Sequence, residues 1–202
     1  IGDKVYCMSA MAAALTAYND ADNADVPYES PSNKDLRITA TVLKDGTTVA
    51  LDQQQANDVL NANGVITAIN ANGFKSWGNN TAAYPSTTDP KDRWLAVRRF
   101  FDWDGNNFIL TYFQKVDKPG NKRLIQSIVD SQNIIGNGYV ARDYCAGYRI
   151  EFRDDENPIT DLLDGKLTTH TYLAPYIPAE KIVNIREYDT AALEAALTGG
   201  GE

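Results

Sequence analysis

Residues 89–135 constrain the fold more than any other stretch. Asp89-Pro90 puts a side chain that can cap a helix directly before a residue suited to the first helical position. Trp94, Val97, Phe100 or Phe101, and Phe108 then recur at helical spacing, while Arg93, Arg98, Asp102 and Lys115 fall elsewhere. Gly105 interrupts this pattern and is expected to kink or break the helix. Lys118-Pro119-Gly120-Asn121 reads as a turn. A second helix is expected from about Lys122 to Ile135, with Leu124, Ile125, Ile128, Val129 and Gln132 mostly at i, i+4 spacing. Gly136-Asn137-Gly138 is expected to end or bend it.

Strands are expected on both sides of this pair. Leu36–Val42 alternates, with Leu36, Ile38, Ala40 and Val42 on one face, and is followed by a turn at Lys44-Asp45-Gly46-Thr47. Ala56–Asn61 reads as a short helix stopped at Asn63-Gly64. Val65–Ile69 and Phe74–Trp77 read as strands joined at Asn72-Gly73, a strong hairpin signal. Further on, Tyr148, Ile150 and Phe152 alternate with Arg149, Glu151 and Arg153, Thr160–Asp164 reads as a short helix, and Leu167–Leu173 as a strand. Lys181–Tyr188 is expected to be a last strand and Thr190–Leu197 a short helix, followed by a flexible Gly199-Gly200-Gly201. The fold class is α+β: a mixed or antiparallel sheet packed with helices. The expected division is one domain over residues 1–189 and a helix and tail over 190–202.

The first helix, Val5–Tyr18, reads as buried rather than as a signal peptide, because no basic segment precedes it and no A-x-A site leads to a mature start. Ile1 in place of Met suggests a longer protein that has been cut or made in part. Cys7 and Cys145 are expected in separate helices as two buried thiols, with a disulfide between them left open. The 202 residues are 43% apolar and 23% charged, which fits a globular chain, and no run approaches a membrane span.

Charge is uneven within the net −8. Residues 91–123 carry eight basic and four acidic groups, whereas 151–202 carry four basic and eleven acidic. An acidic chain with one basic island is a poor general nucleic-acid binder. Lys115, Lys118, Lys122 and Arg123 cluster around the expected corner between helices. Two readings stand there: a solvated corner with local ion pairs, or a docking surface for an acidic partner, where charge sets register and encounter rate.

Catalytic groupings are sparse. His170 is the only histidine and takes a structural or surface role. No zinc-ligand spacing, P-loop or G-x-G-x-x-G is present, so no metal or cofactor is expected. Asp154-Asp155-Glu156 reads as a solvated loop, lacking the central glycine of a calcium loop. Asp102 and Asp104 beside Trp103 fit either a sugar site or a helix with one buried tryptophan.

Trp77-Gly78-Asn79-Asn80-Thr81, then Asp89-Pro90, then Val97-Arg98-Arg99, resembles the "WG-x-RT … VRR" pattern of contractile phage tail sheath proteins, with Asn80 in place of the arginine. Asn61-Ala62-Asn63-Gly64-Val65 resembles that family's "LN-x-x-G-I/V" step. Glu156-Asn157-Pro158, Asp164-Gly165-Lys166, Tyr172-Leu173-Ala174-Pro175 and Pro178-Ala179-Glu180 resemble its closing region. The resemblance runs in order along nearly the whole chain. It implies the C-terminal part of a structural, non-enzymatic subunit that polymerises with its own copies around an inner tail tube and contracts. Baseplate and tail terminator proteins are further implied partners, and a virion tail or an equivalent prophage-derived particle the implied location. It implies a sheet edge open to strand addition between subunits, with Lys181, Ile182, Val183, Asn184, Ile185, Arg186, Glu187 and Tyr188 as the exchanged strand. Trp77, Gly78, Thr81, Arg98 and Arg99 become structural motif residues. Position and charge, rather than a matched motif, nominate Lys118, Lys122 and Arg123 as tube-facing. Two other classes remain: a virion or surface carbohydrate-binding module using Trp77, Trp94 or Trp103, and a carboxylate hydrolase. A binding face would leave its tryptophans exposed, whereas the sheath reading buries Trp94.

Overall fold

The computed structural model describes residues 4–199. Helix α1 spans Met8–Asp22 and strand β1 only Asp35–Leu36. Helix α2, Gln53–Gln55, opens on a capping box in which Asp52 and Gln55 exchange hydrogen bonds, then loosens into a π turn over Ala56–Leu60. Gly64 closes this segment at φ +70°, as the Asn63-Gly64 signal predicts. The hairpin forms at the expected place, with β2 over Thr67–Asn70 and β3 over Phe74–Trp77. Asn72 and Gly73 both take positive φ, which is why these two residues suit the turn. The three strands form an antiparallel sheet in the order β1-β3-β2.

Helix α3, Pro90–Arg93, has the expected Asp89 cap and Pro90 start, and helix α4 follows over Leu95–Tyr112. The helix breaks at Trp94, not at Gly105. Trp94 is extended and bridges to Asn80, while the Leu95 N–H donates to the Asn79 carbonyl at 2.8 Å. Bonds to the motif loop thus replace the helical ones. Helix α5 runs from Lys122 to Ala141, straight through Gly136-Asn137-Gly138. Its start is capped by Asn121, whose side chain accepts from the Leu124 N–H at 2.9 Å. Strand β4, Cys145–Glu151, pairs antiparallel with β5, His170–Pro175; helix α6, Ile159–Leu163, lies between them in sequence, and α7, Thr190–Thr198, follows.

The core gathers where α4 and α5 meet β4. Val26, Phe100, Tyr139, Cys145, Tyr148 and Ile150 are buried together, with Trp103, Phe108, Ile135 and Leu173 packed around them. The Tyr139 ring stands edge-on to both Phe100 and Tyr148, at 6.1 and 5.8 Å between centroids, a favoured aromatic arrangement.

Several sequence expectations change. Helix α1 is largely exposed rather than buried; Asn19 is its only buried residue. The strand expected over Leu36–Val42 ends at Leu36, because only Leu36 finds a partner in β3 and Val42 bridges back to Thr48 across the Gly46 turn. Neither cysteine lies in a helix interior: Cys7 precedes α1 and is exposed, Cys145 opens β4 and is buried, and both are free thiols. Residues 181–188 form no strand ladder among the described residues, and the chain there is exposed. Of the glycine run, Gly199 ends α7 and the rest lies outside the described residues.

Candidate functional site

The motif residues form a joint between the three-stranded sheet and the α3–α4 entrance. Trp77 ends β3, and its indole N–H donates to Asn57 Oδ1 at 2.7 Å. Gly78 follows at φ +135°; a Cβ there would sit 3.2 Å from the Ile66 Cα and 2.8 Å from the Asn61 side chain. Only glycine relieves both constraints. The Thr81 N–H donates to the Arg93 carbonyl at 2.7 Å and the Thr81 hydroxyl to the Asp92 carbonyl at 2.6 Å. Asn80 is buried; its amide donates to the Asn61 carbonyl at 3.1 Å and accepts from Arg93 Nε at 3.0 Å. So a guanidinium does reach position 80, but from residue 93 rather than from residue 80 itself.

Arg98 and Arg99 are also used within the chain. Arg98 bonds Asp92 at 3.0 Å and Asp102 at 2.8 Å, and Arg99 forks onto both carboxylate oxygens of Asp20, tying α1 to α4. Part of the basic island is therefore neutralised internally. Lys118, Lys122 and Arg123 are different: all three are exposed at the corner between α4 and α5, and none has an ion-pair partner among the described residues. Ile109, Leu110, Phe113 and Val116 are exposed on the approach to the same corner. Helical spacing from Phe100 does not single out these apolar neighbours: Leu110 shares the face of Trp103, and Phe113 and Val116 lie past the end of α4.

The arm that follows β5 is the other unpartnered surface. Ile182 and Ile185 are 87% and 82% exposed, and Tyr176, Ile177, Val183 and Tyr188 are exposed as well. Within the two-stranded sheet, the edges are unequal. Asn133 of α5 accepts from the Ile150 N–H at 3.0 Å and donates to the Ile150 carbonyl at 2.9 Å, closing the outer edge of β4 at that residue. The outer edge of β5 has no main-chain partner among the described residues.

The remaining chemistry is structural. Asp102 lies outside with Arg98, whereas Asp104 is buried and accepts from the Tyr148 hydroxyl at 3.2 Å, so the two do not share a site. Burial pushes the Asp104 carboxyl up to about 6, and the Tyr148 hydrogen bond lowers it only in part. His170 bonds Glu156 at 2.7 Å on the sheet surface. Trp94 is buried and Trp77 and Trp103 are half-buried, so none is displayed as a sugar platform. Among the described residues no group of His, Cys, Asp or Glu is arranged to hold a metal, and no helix is long and apolar enough to cross a membrane.

A helix-packed α+β body with an open strand edge and an exposed arm is the fold that comparison with known proteins makes specific. The chain is a homologue of the contractile phage tail sheath proteins. It is 31% identical over 198 residues to the tail sheath protein of Burkholderia phage BcepMu, covering 96% of this chain and 40% of that protein. It is 27% identical over 194 residues to the major tail sheath protein of Serratia phage KSP20, covering 95% and 48%. The chain thus spans less than half the length of these relatives. No protein-family model matches it. Its fold is similar to chains in the anti-feeding prophage baseplate structure (TM-score 0.76, 18% identity, 90% of this chain and 50% of that one). It is also similar to the contracted sheath complex of the extracellular contractile injection system PVC (TM-score 0.72, 17% identity, 91% and 51%).

Proposed function

We propose that this chain is the C-terminal part of a non-enzymatic sheath subunit that polymerises helically around an inner tube and contracts to drive the tube into a target cell. The observation that carries the reading is the unpartnered arm, exposed along its apolar side chains, in a homologue of tail sheath proteins. An extended segment adds to a free sheet edge through main-chain hydrogen bonds, and alternate side chains set the register. The outer edge of β5 in a neighbouring copy is the natural acceptor, since Asn133 closes the edge of β4. One such contact per subunit is heterologous, and repeated without closure it yields an open helix. Contraction then needs no nucleotide: rigid bodies move between two packings while the exchanged strands keep them tethered.

Lys118, Lys122 and Arg123 are proposed to face an acidic surface of the tube, with Ile109, Leu110, Phe113 and Val116 supplying apolar area beside them. Baseplate and tail terminator proteins are proposed as partners at the two ends, and the virion tail, or an equivalent prophage-derived particle, as the location. Deleting residues from Lys181 onward in the full-length subunit should abolish sheaths seen by electron microscopy, while the body still folds. Normal sheaths from the truncated subunit would overturn the reading. Reversing Lys122 and Arg123 to Glu should lower the yield of extended sheath on tubes, and an unchanged yield removes the corner from the interface.

A further inference from the structure

We infer that Arg93 anchors the arm, fixing the point and direction in which residues 181–199 leave the body. Four observations meet at this side chain. Its Nε donates to Asn80 Oδ1 at 3.0 Å. Its guanidinium lies 4.5 Å from the Tyr84 ring centroid and 4.2 Å from that of Trp94. Its remaining arm donates to Glu180 at 3.4 Å. Among the described residues this is the only side-chain hydrogen bond or ion pair between residues 176–199 and the rest of the chain.

An exposed ion pair between two floppy side chains gains little, because both must be ordered to form it. Arg93 is not floppy. Asn80 and the two aromatic rings already hold it, so binding Glu180 costs little further side-chain freedom. The other partner is also stiffened. Pro175 and Pro178 fix φ on the approach, and the Glu180 N–H donates back to the Pro178 carbonyl at 2.9 Å. Residues 178–182 line a 680 Å³ cavity together with Ser30, Asn57, Trp77, Tyr84 and Arg93 itself. Past Glu180 no such tie recurs, so the pivot of the arm sits at residue 180. Arg93 is thus a positioning residue. Its role in delivering the arm to a neighbour rests on the strand-exchange reading above, but the anchoring itself does not.

The test uses the 202-residue chain in a Cys7→Ser background, with spin labels on cysteines introduced at Asn106, exposed on α4, and Asn184 on the arm. Pulsed electron paramagnetic resonance reads the distance distribution. Glu180→Gln and Arg93→Gln should each broaden it about twofold, and the double variant should be no broader than Glu180→Gln alone. Glu180 lies on the exposed arm, so Glu180→Gln leaves the body folded, and its effect cannot come from a damaged core. An unchanged width in Glu180→Gln, or a double variant clearly broader than Glu180→Gln alone, overturns the anchor. Sheath assembly by the same variants in the full-length subunit is scored separately. A confirmed anchor with normal assembly would reject its role in delivering the arm and leave the anchor standing.

Discussion

The ring of Tyr148 occupies the space that any side chain at position 136 would need. A Cβ built on Gly136 would lie 1.9 Å from Tyr148 Cδ1 and 2.3 Å from Cγ. Glycine inside a helix costs about 1 kcal/mol relative to alanine, so α5 accepts that cost to let β4 approach. Gly136→Ala should therefore reverse the usual order of helix propensity and destabilise the chain by about 3 kcal/mol, the scale of an overpacked core. Urea denaturation measures it. An alanine variant as stable as the wild type would show that α5 and β4 do not pack as described.

Asp104 makes stability depend on pH in an unusual direction. Its folded value of about 6 lies above the ordinary 3.8 because burial penalises the charge. The folded chain thus holds this proton more tightly than the unfolded chain. The associated stability is fully present below about pH 4 and is lost as pH rises through about 6, a change of about 3 kcal/mol. Asp104→Asn should remove it. Exposed carboxylates such as Asp155, held low by Arg153, act in the opposite sense in both proteins. The informative quantity is therefore the stability difference between wild type and variant from pH 3.5 to 7.5. A flat difference rejects the assignment.

What could be read from the sequence divides by whether the cause is local. Asn72-Gly73 and Asp89-Pro90 act through their own backbone preferences, and both landed where expected. Helical spacing puts Val97 and either Phe100 or Phe101 on the core face, and the structure buries Val97 and Phe100. Three errors share the opposite cause. Gly136 continues its helix because a tyrosine on another element needs the space. Trp94 leaves its helix because Asn79 and Asn80 offer main-chain partners. Residues 37–41 alternate like a strand yet have no strand beside them. The motif residues were named from their resemblance, but their work as a joint appears only in three dimensions. Periodicity assigns Arg93 only a place off the core face. Its partners come from the next residue, Trp94, from the loop that holds Asn80 and Tyr84, and from Glu180 on the arm.

The fork of Arg99 onto Asp20 ties α1, otherwise mostly exposed, to the body. Both side chains are less than a third exposed, and the geometry is bidentate, so the pair should be worth more than an ordinary surface pair. A double-mutant cycle with Arg99→Ala and Asp20→Ala should give a coupling of about 1 kcal/mol. Coupling within experimental error of zero would mean that α1 is held by other contacts.

Ile182 and Ile185 separate the needs of the folded chain from those of the assembly. Both are almost fully exposed, so changing them removes no packing within the chain. Surface substitutions of this kind usually change stability by less than about 0.5 kcal/mol. Ile182→Asp with Ile185→Asp should therefore leave the urea midpoint of the chain unchanged. In an added strand Ile182 and Ile185 fall on opposite faces, so at least one would be buried against a neighbouring copy, where its carboxylate would face desolvation without a partner. The double variant should then fail to form sheaths in the full-length subunit, as the arm deletion does, though the main chain is intact. Sheaths of normal length from this variant would show that the arm is not buried between subunits, whatever the deletion does.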